Sequence, residues 1–234
     1  MKRFFNIRNL LISLVLLIVV IALIYIFVIR SRDVGNSKTS KLYYDLVNRD
    51  VVTMTLEFND GEFSGNMIYS TDNKNKKTTI IIEAHDMSES GTNMHTNNIK
   101  TISINENGES KFYSVNYDLK RYSTTDVGKE DYDANSYLKK FIISPVSNSK
   151  YYTKGYETIN SEKLFVEAFE KDNTKYYYDG DKLKYIENLD GSNKGTRRLY
   201  SVKIENSFVD KSLTEIPSDF ELVDVIDERR IENE

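Results

Sequence analysis

The spacing of apolar and polar positions divides the chain into an unbroken apolar run, a short helical pattern and a long succession of strands. Residues 10–29 read LLISLVLLIVVIALIYIFVI, and only Ser13 and Tyr25 carry polar side-chain groups. A helix rising about 1.5 Å per residue over this length covers a hydrocarbon core of roughly 30 Å. The run lacks the polar face that a helix packed on a globular domain shows. It predicts a membrane anchor bounded by Leu10 and Ile29. It is longer than a signal-peptide core and ends in Tyr-Ile-Phe-Val-Ile-Arg, with no small-residue cleavage site soon after, so the anchor is expected to stay uncleaved. In SKLYYDLVNRD, Leu42, Leu46 and Val47 fall on one side, and Ser40 is the expected N-cap of a short helix.

From Val51 the period becomes two. VVTMTLEF sets Val52, Met54, Leu56 and Phe58 on one face and Val51, Thr53, Thr55 and Glu57 on the other, the pattern of a half-buried strand. Asn59-Asp60-Gly61 reads as a turn, and EFSGNMIYS returns with Phe63, Met67 and Tyr69 in phase, forming a hairpin. TTIIIEA, IKTISIN and KFYSVNY continue the series, the last two joined across Glu106-Asn107-Gly108-Glu109. The pattern breaks at Gly128. DYDANSYLKKFIIS, 131–144, predicts a second helix with Tyr137, Leu138, Phe141 and Ile142 as its stripe, stopped by Pro145. Strands resume after Lys150 with KLFVEAFE, TKYYYD, DKLKYIEN and TRRLYSVKIEN. The tyrosine-rich run around Asp179-Gly180-Asp181 is the middle of a meander. Gly180 supplies the turn, Tyr176 and Tyr178 share a face, and Tyr177 takes the other. A calcium loop would need a glutamate at its twelfth position, which YIENLDG does not supply.

The expected organisation is a cytoplasmic tail (1–9), an anchor (10–29), a linker (30–39), one domain (40–224) and a charged tail (225–234). The domain is expected to be mainly β, with some α: nine or ten antiparallel strands and two short helices. Positive charge is nearly balanced across the apolar run, with Lys2, Arg3 and Arg8 before it and Arg30, Arg32, Lys38 and Lys41 after it. The short N-terminal tail favours an inside N-terminus and an extracytoplasmic domain. Four of the 32 basic residues lie in the first 30 positions, leaving 28 against 36 acidic ones and a net of −8 beyond them. That balance argues against nucleic acid as a partner. With no cysteine in the chain, a disulfide framework, a thiol-borne lipid and a cysteine zinc site are excluded.

Candidate chemistry is sparse. His85 and His95 stand near Glu83, Asp86 and Glu89 in EAHDMSESGTNMHTN, but their spacing fits no helical or hairpin ligand set, and they read as a polar connection. No nucleophile motif or glycine-rich phosphate loop is present, so neither an enzyme nor a cofactor or metal is expected. Glu167 and Glu170 read as surface carboxylates, and Arg197-Arg198 as an outer strand face. The remaining candidate is the apolar face of the first strands. It comprises Val52, Met54, Leu56 and Phe58; Met67 and Tyr69; Ile80 and Ile82; Ile102 and Ile104; and Tyr113, Val115 and Tyr117. These line either a plain core or a ligand cavity.

Two stretches carry a family resemblance. KGYETINSEKLFVEAFEKDNTKYYYDGDKLKYIEN leads to a basic strand and IPSDFELVD, and KTISINENGESKFYSVNYDLKRY lies in the first half. Over about residues 40–224 this order resembles the LolA-like lipoprotein carriers and related envelope lipid-binding lipoproteins. The resemblance implies a curved antiparallel half-barrel with helices over its apolar side, and a site for lipid or an acylated protein. The carriers are freed by signal cleavage, whereas this chain keeps its apolar run, so shuttling between membranes is not implied. The other expectation is a structural component that docks to a protein partner of the cell envelope through a closed, ligand-free domain.

Overall fold

The computed structural model describes residues 17–20, 34–59, 63–86, 98–129, 149, 151–169, 173–189 and 197–224. Most of the 10–29 run, including Leu10 and Ile29, lies outside these residues, as do His95, the 131–144 helix and the 225–234 tail. Residues 17–20 are helical and exposed. Among the described residues no helix is long and apolar enough to cross a membrane.

The protein is mainly β, with one large, open, curved sheet and few short helices. Its strands are β1 (Val51–Asn59), β2 (Phe63–Asp72), β3 (Lys77–Asp86), β4 (Ile99–Glu106), β5 (Glu109–Asn116), β6 (Arg121–Lys129), β7 (Tyr152–Ile159), β8 (Glu162–Phe169), β9 (Thr174–Asp179), β10 (Lys182–Leu189), β11 (Arg197–Glu205) and β12 (Glu221–Leu222). They lie in the order β12-β6-β5-β4-β3-β2-β1-β11-β10-β9-β8-β7. Two antiparallel meanders meet where β1 pairs with β11, and among the described residues only the short β12 pairs parallel, on β6. The twelve strands among the described residues exceed the nine or ten expected. RYSTTDVGK and YTKGYETI, now β6 and β7, carry too few apolar residues to announce themselves.

Local chemistry sets the turns. Asn107 and Gly108 take φ of +54° and +85° between β4 and β5, as a two-residue hairpin requires. Gly180, at φ +57°, opens the Gly180-Asp181 loop between the paired Asp179 and Lys182. The C-terminal segment then crosses the outer face to reach β6. The Val209 N–H donates to Ser70 Oγ (2.9 Å), the Thr53 hydroxyl donates to the Ser207 carbonyl (2.6 Å), and Phe220 meets the Tyr117 ring edge-on.

Helix α1 (Lys38–Val47) lies on the opposite, inner face. It starts earlier than expected. Ser37, not Ser40, is the N-cap, extended at φ −65° and ψ 151° with its hydroxyl accepting the Ser40 N–H at 3.0 Å. Lys38 and Thr39 are therefore helical rather than linker. Tyr43 and Leu46, one turn apart, point into the sheet and join Val52, Met54, Leu56 and Tyr69 with Phe169, Tyr176, Tyr178, Leu183, Ile186 and Val202 in the main core. Each such large apolar side chain contributes roughly 1.5–3 kcal/mol by leaving water.

Candidate functional site

Cross-strand registers fix which face each residue takes, because directly opposed residues point the same way. Met54 opposes Tyr69, Tyr69 opposes Ile80, and Ile80 opposes Ser103; Leu56, Met67 and Ile82 form the next row. With Val52 and Phe58, these residues share the inner face under and beside α1. Ile102 and Ile104 do not, since they oppose Ile81 and Thr79 on the outer face. Tyr113 opposes Ile102, and Val115 opposes Lys100, so both belong to the outer face as well. Tyr117 lies beyond β5, against Phe220. The single row of thirteen is thus split. The cause is that β4 and β5 carry apolar residues on both faces, and Ile68, Ile81 and Ile102 build a second cluster on the outer side.

The inner face has a sealed sector and an open margin. Leu56 is 3% exposed, and Val52, Met54 and Tyr69 are equally buried. Met67, Ile80 and Ile82 are only partly buried. Phe112, in the same row as Ile80 through Ser103, is 38% exposed. Its odd-even phase against Tyr113 was the signal available in KFYSVNY. The second meander supplies half of this face through Phe165, Phe169, Tyr176 and Tyr178. Tyr176 and Tyr178 share the inner face and Tyr177 takes the outer one.

A carboxylate fastens the helix to this face. Glu167 is 2% exposed and lies between Phe165 and Phe169 in the inward phase of β8. It accepts the Lys38 N–H (2.8 Å), the Thr39 N–H (2.9 Å) and the Thr39 hydroxyl (2.8 Å). The Ser37 hydroxyl accepts the Ser40 N–H, and the N–H of Ser37 itself donates to the Val34 carbonyl (3.0 Å). All four N–H groups that a helix start leaves without an intrahelical acceptor are therefore satisfied. Glu167 is not the surface residue expected of it; its negative charge sits at the positive end of the helix dipole. The Thr39 hydroxyl also meets the Tyr178 hydroxyl at 2.8 Å, and burial pushes that phenol well above its ordinary range. The Lys38 ammonium reaches the Gly180 carbonyl (2.6 Å) and Asp181 (2.9 Å), tying α1 to the β9–β10 turn.

Two polar groupings occupy the outer face. Tyr177 donates to Glu187 (2.6 Å) and approaches Glu157 (3.0 Å), while Lys175 and Arg197 neutralise these carboxylates. Burial and then the two carboxylates raise the Tyr177 pKa, so the phenol stays protonated and donating. Arg197 therefore serves this network, whereas Arg198 lies 4.5 Å from the Phe58 ring centroid on the inner face. The second grouping is a cleft of about 370 Å³ at one end of β1–β3, lined by Glu57, Phe58, Asn59, Ser64, Gly65, Asn66, His85 and Ser201. Asn98 gives its amide N–H to Asp118 and turns its oxygen to His85 Nδ1 (2.8 Å each). His85 thus donates from Nδ1. No group of three or more metal-ligating residues occurs among the described residues.

Beside the cleft, the Lys100 ammonium lies 2.9 Å from Glu83, which also accepts from Asn66. Burial opposes ionisation of Glu83, but these bonds outweigh it and hold the carboxyl below its ordinary 4.5. A depressed carboxylate stabilises the fold above its unfolded pKa, and that stability is lost as pH falls through the folded value. Thermal melting followed by circular dichroism should show stability dropping below about pH 4.5. Glu83→Gln should make that drop shallower.

No family model matches the chain, and no curated protein matches it. Among solved structures it is similar to the crystal structure of an uncharacterized conserved protein from Thermus thermophilus. The TM-score is 0.38 and the identity 10%, over 79% of this chain and 98% of that one. At that similarity no property transfers from one to the other.

Proposed function

We propose that the chain is a membrane-anchored, extracytoplasmic binding module that holds lipid, or the acyl chain of an acylated protein, on the inner face of its curved sheet. The observation that carries this reading is the open margin. Beside a core already filled by its own side chains, Met67, Ile80 and Ile82 are only partly buried, and Phe112, on the same face across Ser103 from Ile80, is 38% exposed. An acyl chain laid there gains about 0.8 kcal/mol for each buried methylene. The apolar run at 10–29 would hold the module at the membrane with its N-terminus inside, and the LolA-like resemblance supports lipid as the ligand class. Among the described residues no set for bond-making chemistry accompanies this surface, and the reading is one of binding.

The sealed sector favours a second reading. Leu46, Val52, Met54 and Tyr176 pack with no room between helix and sheet. A domain closed throughout in this way would act as a structural component of an envelope protein complex. Mass spectrometry of the full chain purified from its membrane, with lipid extracted and quantified, separates the two. The binding module should retain about one lipid per chain after detergent exchange. Lipid falling to the level of an unrelated single-pass protein would favour the closed component.

A further inference from the structure

The domain begins almost where the apolar run ends. Residues 30–33 are all that separates Ile29 from Val34, and Val34 already belongs to the fold. Its carbonyl accepts the Ser37 N–H (3.0 Å) and the Ser40 hydroxyl (2.9 Å), and its side chain packs against the main core. Five Cα-to-Cα steps span at most about 18 Å, however the chain runs. Headgroups occupy roughly 5–7 Å of that distance beyond the hydrocarbon core. With residues 10–29 in the membrane, the start of α1 is held within about 13 Å of the headgroup surface.

The registers show which part of the sheet shares that position. Lys38, at the start of α1, holds the Gly180 carbonyl and Asp181 in the β9–β10 turn. Phe165 opposes Tyr178, so the β7–β8 turn at Asn160 and Ser161 lies beside the β9–β10 turn, a few residues further along both strands. Both turns are exposed. The turn at Asn173 closes the opposite end of β8, a strand length of about 23 Å away.

The charge of this corner differs from that of the domain. Beyond residue 30 the chain carries a net of −8. Here Lys38 pairs with Asp181 and Lys184 with Glu162. Those pairs leave the exposed Lys41, Lys163 and Lys182 against Asp179. Tyr156 is 67% exposed, and the Lys163 ammonium lies 5.3 Å from its ring centroid. Exposed tyrosine beside lysine suits the headgroup layer, where aromatic rings and basic side chains both settle.

We propose that this corner, the start of α1 with the β7–β8 and β9–β10 turns, docks on the anionic lipid headgroups of the membrane that anchors the chain. The docking rests on the anchor of the proposed function. The short connection brings the corner close enough, and Lys163 and Lys182 then meet lipid phosphate. Such attraction acts within a Debye length of about 8 Å, so it begins only where the tether has already placed the domain. The same surface repels the acidic remainder, which turns the far ends of β8 and β9 away from the membrane.

The chain has no cysteine, so one introduced thiol carries one label. Full chains with Ser31→Cys, Ser161→Cys or Asn173→Cys, each bearing a fluorophore, are reconstituted into vesicles of phosphatidylcholine and phosphatidylglycerol that include a lipid with a quencher on its headgroup. The Ser31 and Ser161 positions should be quenched, Ser161 at least threefold more than Asn173. Adding Lys163→Gln and Lys182→Gln together, or omitting phosphatidylglycerol, should lower quenching at Ser161 to near that at Asn173. Quenching at Ser31 with no excess at Ser161 over Asn173 would overturn the docking and leave the anchor standing. An excess at Ser161 that survives loss of both lysines and of phosphatidylglycerol would overturn the headgroup contact, since the tether alone would then explain it. An unquenched label at Ser31 would contradict the anchor and the docking with it.

Discussion

Glu167→Ala is expected to destabilise the domain by about 2–4 kcal/mol, taking ~1–2 kcal/mol for each backbone N–H left without its charged acceptor. In a domain of this size that corresponds to a melting temperature lowered by roughly 5–15 °C. The effect is large because the site is dry. Lys38 and Thr39 cannot turn their N–H groups to water without lifting the start of α1 from the sheet, and Tyr178 loses part of its surroundings with them. Glu167→Gln should cost less than Ala, since one amide oxygen still accepts while the amide nitrogen faces a donor. Thermal melts of the three proteins check the order. A Glu167→Ala domain as stable as the unmodified one would show that the carboxylate does not hold the helix.

That residue illustrates how far the sequence could be read. Its strand, KLFVEAFE, was legible as a strand, and its alternation places Glu167 in phase with Phe165 and Phe169. A charge between two inward aromatics signals a buried carboxylate, but what buries it is a helix start some 130 residues earlier, which no local pattern reveals. The β1–β2 hairpin and the split of the three tyrosines across β9 were legible because one clear alternation governs each. The faces of β4 and β5 were not, because apolar residues stand in both phases there, Ile99 and Phe112 in one and Ile102, Ile104, Tyr113 and Val115 in the other, and only the register with β3 assigns them. The cap of α1 was ambiguous for a similar reason. In SKTS the two serines stand three apart, and either could cap a helix; the contact with β8 decides for the first.

The second large effect separates the sealed sector from the open margin. Leu56→Trp places a larger ring where Val202, Met67 and the opposing core already fill the space, and overpacking of this kind costs roughly 1–3 kcal/mol. Ile82→Trp, on the partly open margin, should leave stability within about 0.5 kcal/mol. If α1 and the sheet were separated by a ready-made cavity, the two substitutions would be tolerated alike. A lowered melting temperature for Leu56→Trp alone locates free space at the margin instead.

The most direct measurement of the binding reading is therefore uptake of a fluorescent fatty acid by residues 31–234, a piece that includes the whole described sheet, α1 and their shared core. The reading predicts saturable uptake by the unmodified domain, retained in Leu56→Trp at temperatures where it is folded, and lost in the stably folded Ile82→Trp. No uptake by the unmodified domain would contradict it.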